Sequence, residues 1–151
     1  MRYIVATDGS DVSDLAVEHA ASDASVWSVP LEIVHVLAPE AELIEGEIVL
    51  SGGDRAIEQG RQILENGRKN AGAVVDEHDA DIEIRTELLS GNPPEVLSGN
   101  PPEAITDHAR ETGASRIHVG HRGLSKERER VVGSVAKTVV DNATVPVSIV
   151  R

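Results

Sequence analysis

The sequence predicts a layered α/β domain built on a parallel sheet. Two observations carry that prediction. Short apolar runs alternate along the chain with longer stretches of helical period, which implies strands joined by helical crossovers. One run, LEIVHVL at 31–37, is nearly continuous in apolar residues, the pattern of a strand covered on both faces. At 151 residues and 40% apolar composition, the chain is expected to form a single domain, 1–151, around one sizeable core.

The elements run in this order. Tyr3 to Ala6 is a short strand ending at the turn Thr7-Asp8-Gly9-Ser10. From Ser13 to about Trp27, Leu15, Ala16, Ala20, Ala24 and Trp27 recur at helical spacing. After the 31–37 strand, residues 38–53 show no clear period. Arg55 to about Glu77 is a long amphipathic helix through Ile57, Leu64, Ala71 and Val75, weakened by Gly60, Gly67 and Gly72. DIEIRTEL at 81–88 alternates strictly, as a half-exposed edge strand would. A helix to about Glu111, the strand RIHVG at 116–120, a helix from Gly133 to about Asn142 and the strand VPVSIV at 145–150 complete the chain. Pro146 suits an edge position, because it cannot donate to a ladder.

Composition removes several function classes. The formal net charge of −12 leaves no basic footprint for nucleic acid or an anionic membrane. Zero cysteines exclude disulfides, thiolate zinc sites and cysteine nucleophiles. No apolar run approaches a membrane span, and MRYIVATDGS lacks a signal peptide's layout, so a soluble, cytoplasmic protein is expected. Only Lys69, Lys126 and Lys137 are lysines, and Phe is absent. This acid-rich, lysine-poor profile resembles that of halophilic proteins, with an archaeal source expected; an ordinary acidic cytosolic protein is the alternative.

The chemistry concentrates in GHRGLSKERERVVGS, residues 120–134. Gly120 and Gly123 follow a buried strand, where glycine lets backbone N–H groups approach a ligand. Gly133-Ser134 opens a helix, where free N–H groups and the macrodipole favour phosphate. Three glycines alone would also fit a plain turn. Together with IVATDGS (4–10), VHVL (34–37) and the closing VPVSIV, however, the spaced pattern resembles the universal stress protein family, in its ATP-binding branch, over essentially the whole chain.

The resemblance implies a Rossmann-like, adenine nucleotide alpha hydrolase-like sheet. It would have five parallel strands in order 3-2-1-4-5, helices on both faces and ATP at the carboxyl ends of strands 1 and 4. That position is also the topological switch point of such a sheet. Carried over by position, Ala6, Thr7 and Asp8 lie against adenosine, and Val36 offers backbone groups to adenine. Val119, Gly120 and Gly123 line the ribose and phosphate side, and Gly133, Ser134 and Val135 hold the phosphates of ATP, AMP or ADP with Mg²⁺ alongside. The resemblance further implies a homodimer paired through the 145–150 strand and a nucleotide-dependent regulator in stress response without fast catalysis. A slow ATP hydrolase or autophosphorylating enzyme, and a non-nucleotide dimerisation module, are the alternatives. Asp8 also fits an Asx turn or helix N-cap.

Other motifs give weaker readings. LSGGD (50–54) echoes ATPase signatures, but no phosphate loop accompanies it, so a loop leading into a helix is expected. His118 and His121 lack accompanying metal ligands, and His35 reads as a core histidine with a satisfied hydrogen bond. No nucleophile elbow or Ser/His/Asp constellation is present. Lys126, Arg128 and Arg130 either neutralise phosphate or pair with Glu127 and Glu129.

LSGNPPE occurs at both 89–95 and 97–103. In the second copy Asn100 is a helix N-cap, Pro101 the first helical position and Glu103 the closing residue of a capping box. The first copy can support one turn at most. It reads as a duplicated capping segment tolerated in a surface loop, with a lid or partner loop as the alternative, because doubling a loop costs only about 0.6 kcal/mol of closure entropy.

Overall fold

A computed structural model of the chain describes residues 1–37, 40–44, 47–51, 53–90, 101–121 and 134–151. Its strands are β1 (Tyr3–Ala6), β2 (Leu31–Leu37), β3 (Glu40–Ile44), β4 (Glu47–Ser51), β5 (Ile84–Ser90), β6 (Arg116–Gly120) and β7 (Val147–Val150). Its helices are α1 (Asp11–Trp27), α2 (Gly53–Glu77), α3 (Pro101–Thr112) and α4 (Ser134–Asn142). The main sheet has the order β5-β2-β1-β6-β7, with every neighbouring pair parallel. Counting only these five strands, that is the expected 3-2-1-4-5.

Alternation along the central strands divides the core into two layers. Tyr3, Val5, Leu31 and Ile33 face α1 and α2, meeting Ala16, Val17, Ala20, Leu64 and Ala71. Ile4, Val34, Ile117 and Val119 face α3 and α4, meeting Ile105, Ala109, Ala136 and Val139. β1 and the first half of β2 are thus buried from both sides, which is why their sequences read as continuous apolar runs.

The buried stripe of α1 is Val12, Ala16, Val17, Ala20, Ala21 and Ala24, small residues that seat the helix close to the sheet. Leu15 and Trp27 do not belong to it: they are 46% and 66% exposed. Leu15 shares its i+3 and i+4 positions with the polar Glu18 and His19, and Trp27 ends the helix where Ser28 turns the chain through φ 53°.

α2 explains one of its own weaknesses. A Cβ on Gly60 would stand 2.7 Å from Leu88 Cδ1 and 3.0 Å from His35 Cδ2, so the helix lies directly on β2 and β5. Gly60→Val should therefore destabilise the protein by about 2 kcal/mol through overpacking. Urea titration reads the effect, and an unchanged midpoint would show that Leu88 simply swings away.

The edges behave as their sequences indicate. Exposed Glu83, just before β5, and exposed Arg85 and Glu87 within it alternate with half-buried Ile84, Thr86 and Leu88. The strand begins at Ile84, paired with Leu31, and runs to Ser90, two residues beyond the expected end. β7 begins at Val147; Pro146 contributes only its carbonyl, accepting from Ile117 N at 3.0 Å. α3 starts at Pro101, as the second LSGNPPE copy predicts, while 91–100 lie outside the described residues.

Residues 38–53 hold an element the sequence reading lacked. β3 and β4 pair antiparallel, Glu40 opposite Ser51 and Ile44 opposite Glu47. Consecutive apolar letters (Leu43-Ile44, Ile48-Val49-Leu50) hide the period of two, and Glu-Gly is not a strong hairpin signal. Of LSGGD, expected as a loop, Leu50 and Ser51 instead end β4, and Gly53 and Asp54 open α2.

Candidate nucleotide site at the carboxyl rim

The site is built from the register of three parallel strands. Ala6 stands opposite Val34, so Asp8 comes level with Val36. Val5 stands opposite His118, and the same register carried forward sets Ala6 beside Val119 and Thr7 beside Gly120. Ala6, Thr7, Asp8, Val36, Val119 and Gly120 therefore share one rim, at the carboxyl ends of β1, β2 and β6. Ser134 and Val135 open α4, and Val135 is 39% exposed. Gly123 and Gly133, together with Lys126, Arg128 and Arg130, lie outside the described residues.

The turn after β1 is held by a compact hydrogen-bond network. Ser10 N donates to Asp8 Oδ1 at 3.0 Å, an Asx turn, and Ser10 Oγ caps α1 by accepting from Ser13 N at 3.2 Å. Asp8 is thus the turn residue and Ser10 the N-cap, a division between the two roles open to Asp8 in the sequence. Ser13 Oγ donates to Ser10 O at 2.9 Å, which leaves Thr7 Oγ1 to donate to Ser13 Oγ across 3.0 Å. Gly9 N in turn donates to Thr7 Oγ1 at 3.2 Å.

Gly9 adopts φ +84°, the left-handed region an L side chain rarely enters, and a Cβ there would also meet Ile63 of α2 at 3.2 Å. From the other side, His35 Nδ1–H donates to the Thr7 carbonyl at 2.8 Å. The sequence reading of His35 as a satisfied histidine is correct, and the bond also ties β2 to the turn. Nothing in the sequence announces that Ser13 is buried, because serine in a first helical turn ordinarily faces water.

β1 passes to β2 through α1 on one face, while β6 passes to β7 through α4 on the other. The crevice between β1 and β6 is therefore the switch point, where open α/β sheets place ligands. A second cleft of about 230 Å³, lined by Thr106, Ala109, Gly113, Ile117, Thr144 and Val145, lies at the opposite, amino end of the strands. Its position does not match that rule.

Of the remaining histidines, His118 is fully buried on the α1 side of β6, and its Nε2–H donates to Asp23 Oδ2 at 3.1 Å. His121 is buried just beyond Gly120. Among the described residues, no three His, Asp or Glu side chains are placed to hold a metal.

Fold and rim together define a doubly wound α/β protein with a crevice at the strand-order reversal. The chain belongs to the universal stress protein family, whose family model matches residues 1–151. It is 32% identical to the universal stress protein YxiE of Bacillus subtilis over 99% of this chain and 98% of the relative. It is 29% identical to MJ0531 of Methanocaldococcus jannaschii, over 99% and 81%. Among solved structures it is similar to a universal stress protein in complex with cAMP, with TM-score 0.72, 25% identity and coverage of 100% and 97%. It is also similar to the Archaeoglobus fulgidus universal stress protein in complex with dAMP, with TM-score 0.70, 26% identity and coverage of 100% and 98%. No helix among the described residues is long and apolar enough to cross a membrane.

Proposed function

We infer that this protein binds an adenine nucleotide, ATP by preference, at the carboxyl rim of β1, β2 and β6, and acts as a nucleotide-dependent regulator in stress response without fast turnover. The observation that carries this reading is the shared rim of Asp8, Val36 and Gly120, joined to a glycine pattern intact at its full spacing. The two similar structures holding adenine nucleotides support the ligand class.

In this reading Ala6, Thr7 and Asp8 contact adenosine, and the Val36 backbone addresses adenine. Val119, Gly120 and Gly123 line the ribose and phosphates. Gly133, Ser134 and Val135 present helix-start N–H groups to the phosphates, which bring Mg²⁺ with them. The Thr7–Ser13–Ser10 network fits this use, because it fixes the β1 turn before any ligand arrives. The whole chain acts as one cytoplasmic domain in a homodimer paired through 145–150: β7 is the sheet's edge, and an apolar edge strand calls for a partner. The second LSGNPPE copy starts α3, and the acid-rich surface suits a salt-rich cytoplasm.

Calorimetric titration of ATP with Mg²⁺ into wild type and Gly133→Val tests the reading. Binding by wild type and its loss, by about a hundredfold or more, in a folded variant is the expected result, since a side chain would stand among several phosphate-bound N–H groups. Wild-type protein freed of nucleotide that takes up neither ATP nor AMP would sink it.

A further inference from the structure

We propose that His35 is the positioning residue of the base-binding edge: its hold on the Thr7 carbonyl ends the β1–β2 ladder one rung early and leaves the Val36 backbone open to a base. The proposal rests on the nucleotide reading above for its ligand.

The ladder fixes where each backbone group points. Tyr3 N donates to Pro30 O and Thr7 N to Val34 O, both at 2.9 Å, so the rungs from β1 fall on even-numbered residues along β2. Leu31 N donates to Glu83 O instead, on the β5 side. Val36 therefore turns both its N–H and its C=O toward β1. One more rung would run from Val36 N to Thr7 O, and among the described residues it is missing.

His35 stands in its place. The Thr7 carbonyl accepts from the imidazole at 2.8 Å, and because a carbonyl only accepts, the proton is on Nδ1. The ring has little room to leave, since a Cβ on Gly60 of α2 would stand 3.0 Å from its Cδ2. The β1 turn is thus held to β2 by a side chain, and the half-buried Val36 keeps its own donor and acceptor beyond the last rung.

An N–H beside a C=O on one residue suits a planar base that offers an acceptor next to a donor. Adenine does so, with a ring nitrogen beside its amino group. Guanine carries a carbonyl oxygen in place of that amino group and would meet the Val36 carbonyl acceptor to acceptor. By keeping this edge open, His35 sets both affinity for adenine and its preference over guanine.

The test titrates AMP, ATP and GMP by calorimetry into the full chain as wild type, His35→Leu and His35→Asn. Amide exchange of Val34 and Val36 is followed by NMR in the ligand-free proteins. Val36 should exchange at least about tenfold faster than Val34 in wild type, and slow by a similar factor in His35→Leu, where the freed Thr7 carbonyl takes the missing rung. AMP affinity should fall about tenfold in His35→Leu and its lead over GMP shrink, while His35→Asn, with an amide N–H in place of Nδ1–H, keeps both. The ratio of ATP to AMP affinity stays the same, because the phosphate side is untouched. AMP binding that His35→Leu leaves unaltered, or a wild-type Val36 amide as protected as that of Val34, overturns the positioning role while nucleotide binding stands. The wild-type exchange rates need no variant, so they decide the role even where His35→Leu does not fold. A wild type that binds neither AMP nor ATP while Val36 exchanges as expected keeps the open edge and removes the nucleotide reading.

Discussion

Replacing Glu32 with alanine should lower the thermal midpoint by roughly 6–12 °C, the equivalent of about 3 kcal/mol in a chain of this size. Glu32 is only 5% exposed, in the buried first half of β2. Its carboxylate accepts from Arg2 Nη1 at 2.9 Å on one oxygen and from His108 Nε2 on the other. The cluster thereby ties the segment before β1 and the helix α3 to β2, near the amino ends of the strands.

Removing the carboxylate leaves two donors without their acceptor and a void beside them. Arg2 can turn partly to water, since its side chain is 24% exposed. That places the loss at the lower end of the range for breaking a buried charge network. Glu32→Gln keeps the volume but presents an NH₂ to one of the two donors, so it should cost about half as much. Thermal and urea unfolding measure both variants. If Glu32→Ala stays within about 1 kcal/mol of wild type, the cluster behaves as an exposed ion pair.

Acid should weaken the fold through His118. Burial holds its pKa below the ordinary 6.5; Asp23 pulls upward against that, and His19 adds a smaller downward push. The unfolded chain therefore takes up a proton near pH 6.5 that the folded chain refuses. Stability is full above that pH, falls as the pH drops through it, and levels off below the lowered folded value. Urea midpoints at a series of pH values should show this slope, and His118→Leu should flatten it.

Asp23→Ala attacks the same pair from α1. It leaves a fully buried N–H without its acceptor, a loss of about 1–3 kcal/mol, and removes the group that opposes the downward shift. Arg116 lies 3.9 Å from Asp23 and loses that neighbour as well. A wild-type stability that stays flat from neutral pH to below 6 would show that His118 titrates alike folded and unfolded.

The candidate site is legible in the sequence wherever its chemistry is local. Gly9 at φ +84° is a backbone requirement that glycine alone announces. Pro101 opening α3 is likewise written in one residue's fixed φ. His35 reads correctly because a lone histidine in an apolar strand must find a partner; that the partner is the Thr7 carbonyl is a fact of strand pairing. Ser13, Asp23 and His121 carry no comparable signal. A serine in a first turn, an aspartate on a helix and a histidine after a glycine read as solvated until the sheet is assembled around them.

By itself, the sequence determined the features set by period and by single-residue geometry: strands alternating with helices, a strand at 31–37 covered on both faces, and a rim of turns and helix starts. Nearest-neighbour sterics and the one-sided burial of each element produce those features, and they act over a few residues. Only the tertiary structure decided which α1 side chains meet the core, that 40–51 folds back on itself, and which polar groups are left buried. Those outcomes depend on the register and the distance between elements far apart in the chain. The same register puts Glu32 between Arg2 and His108, side chains from distant parts of the chain.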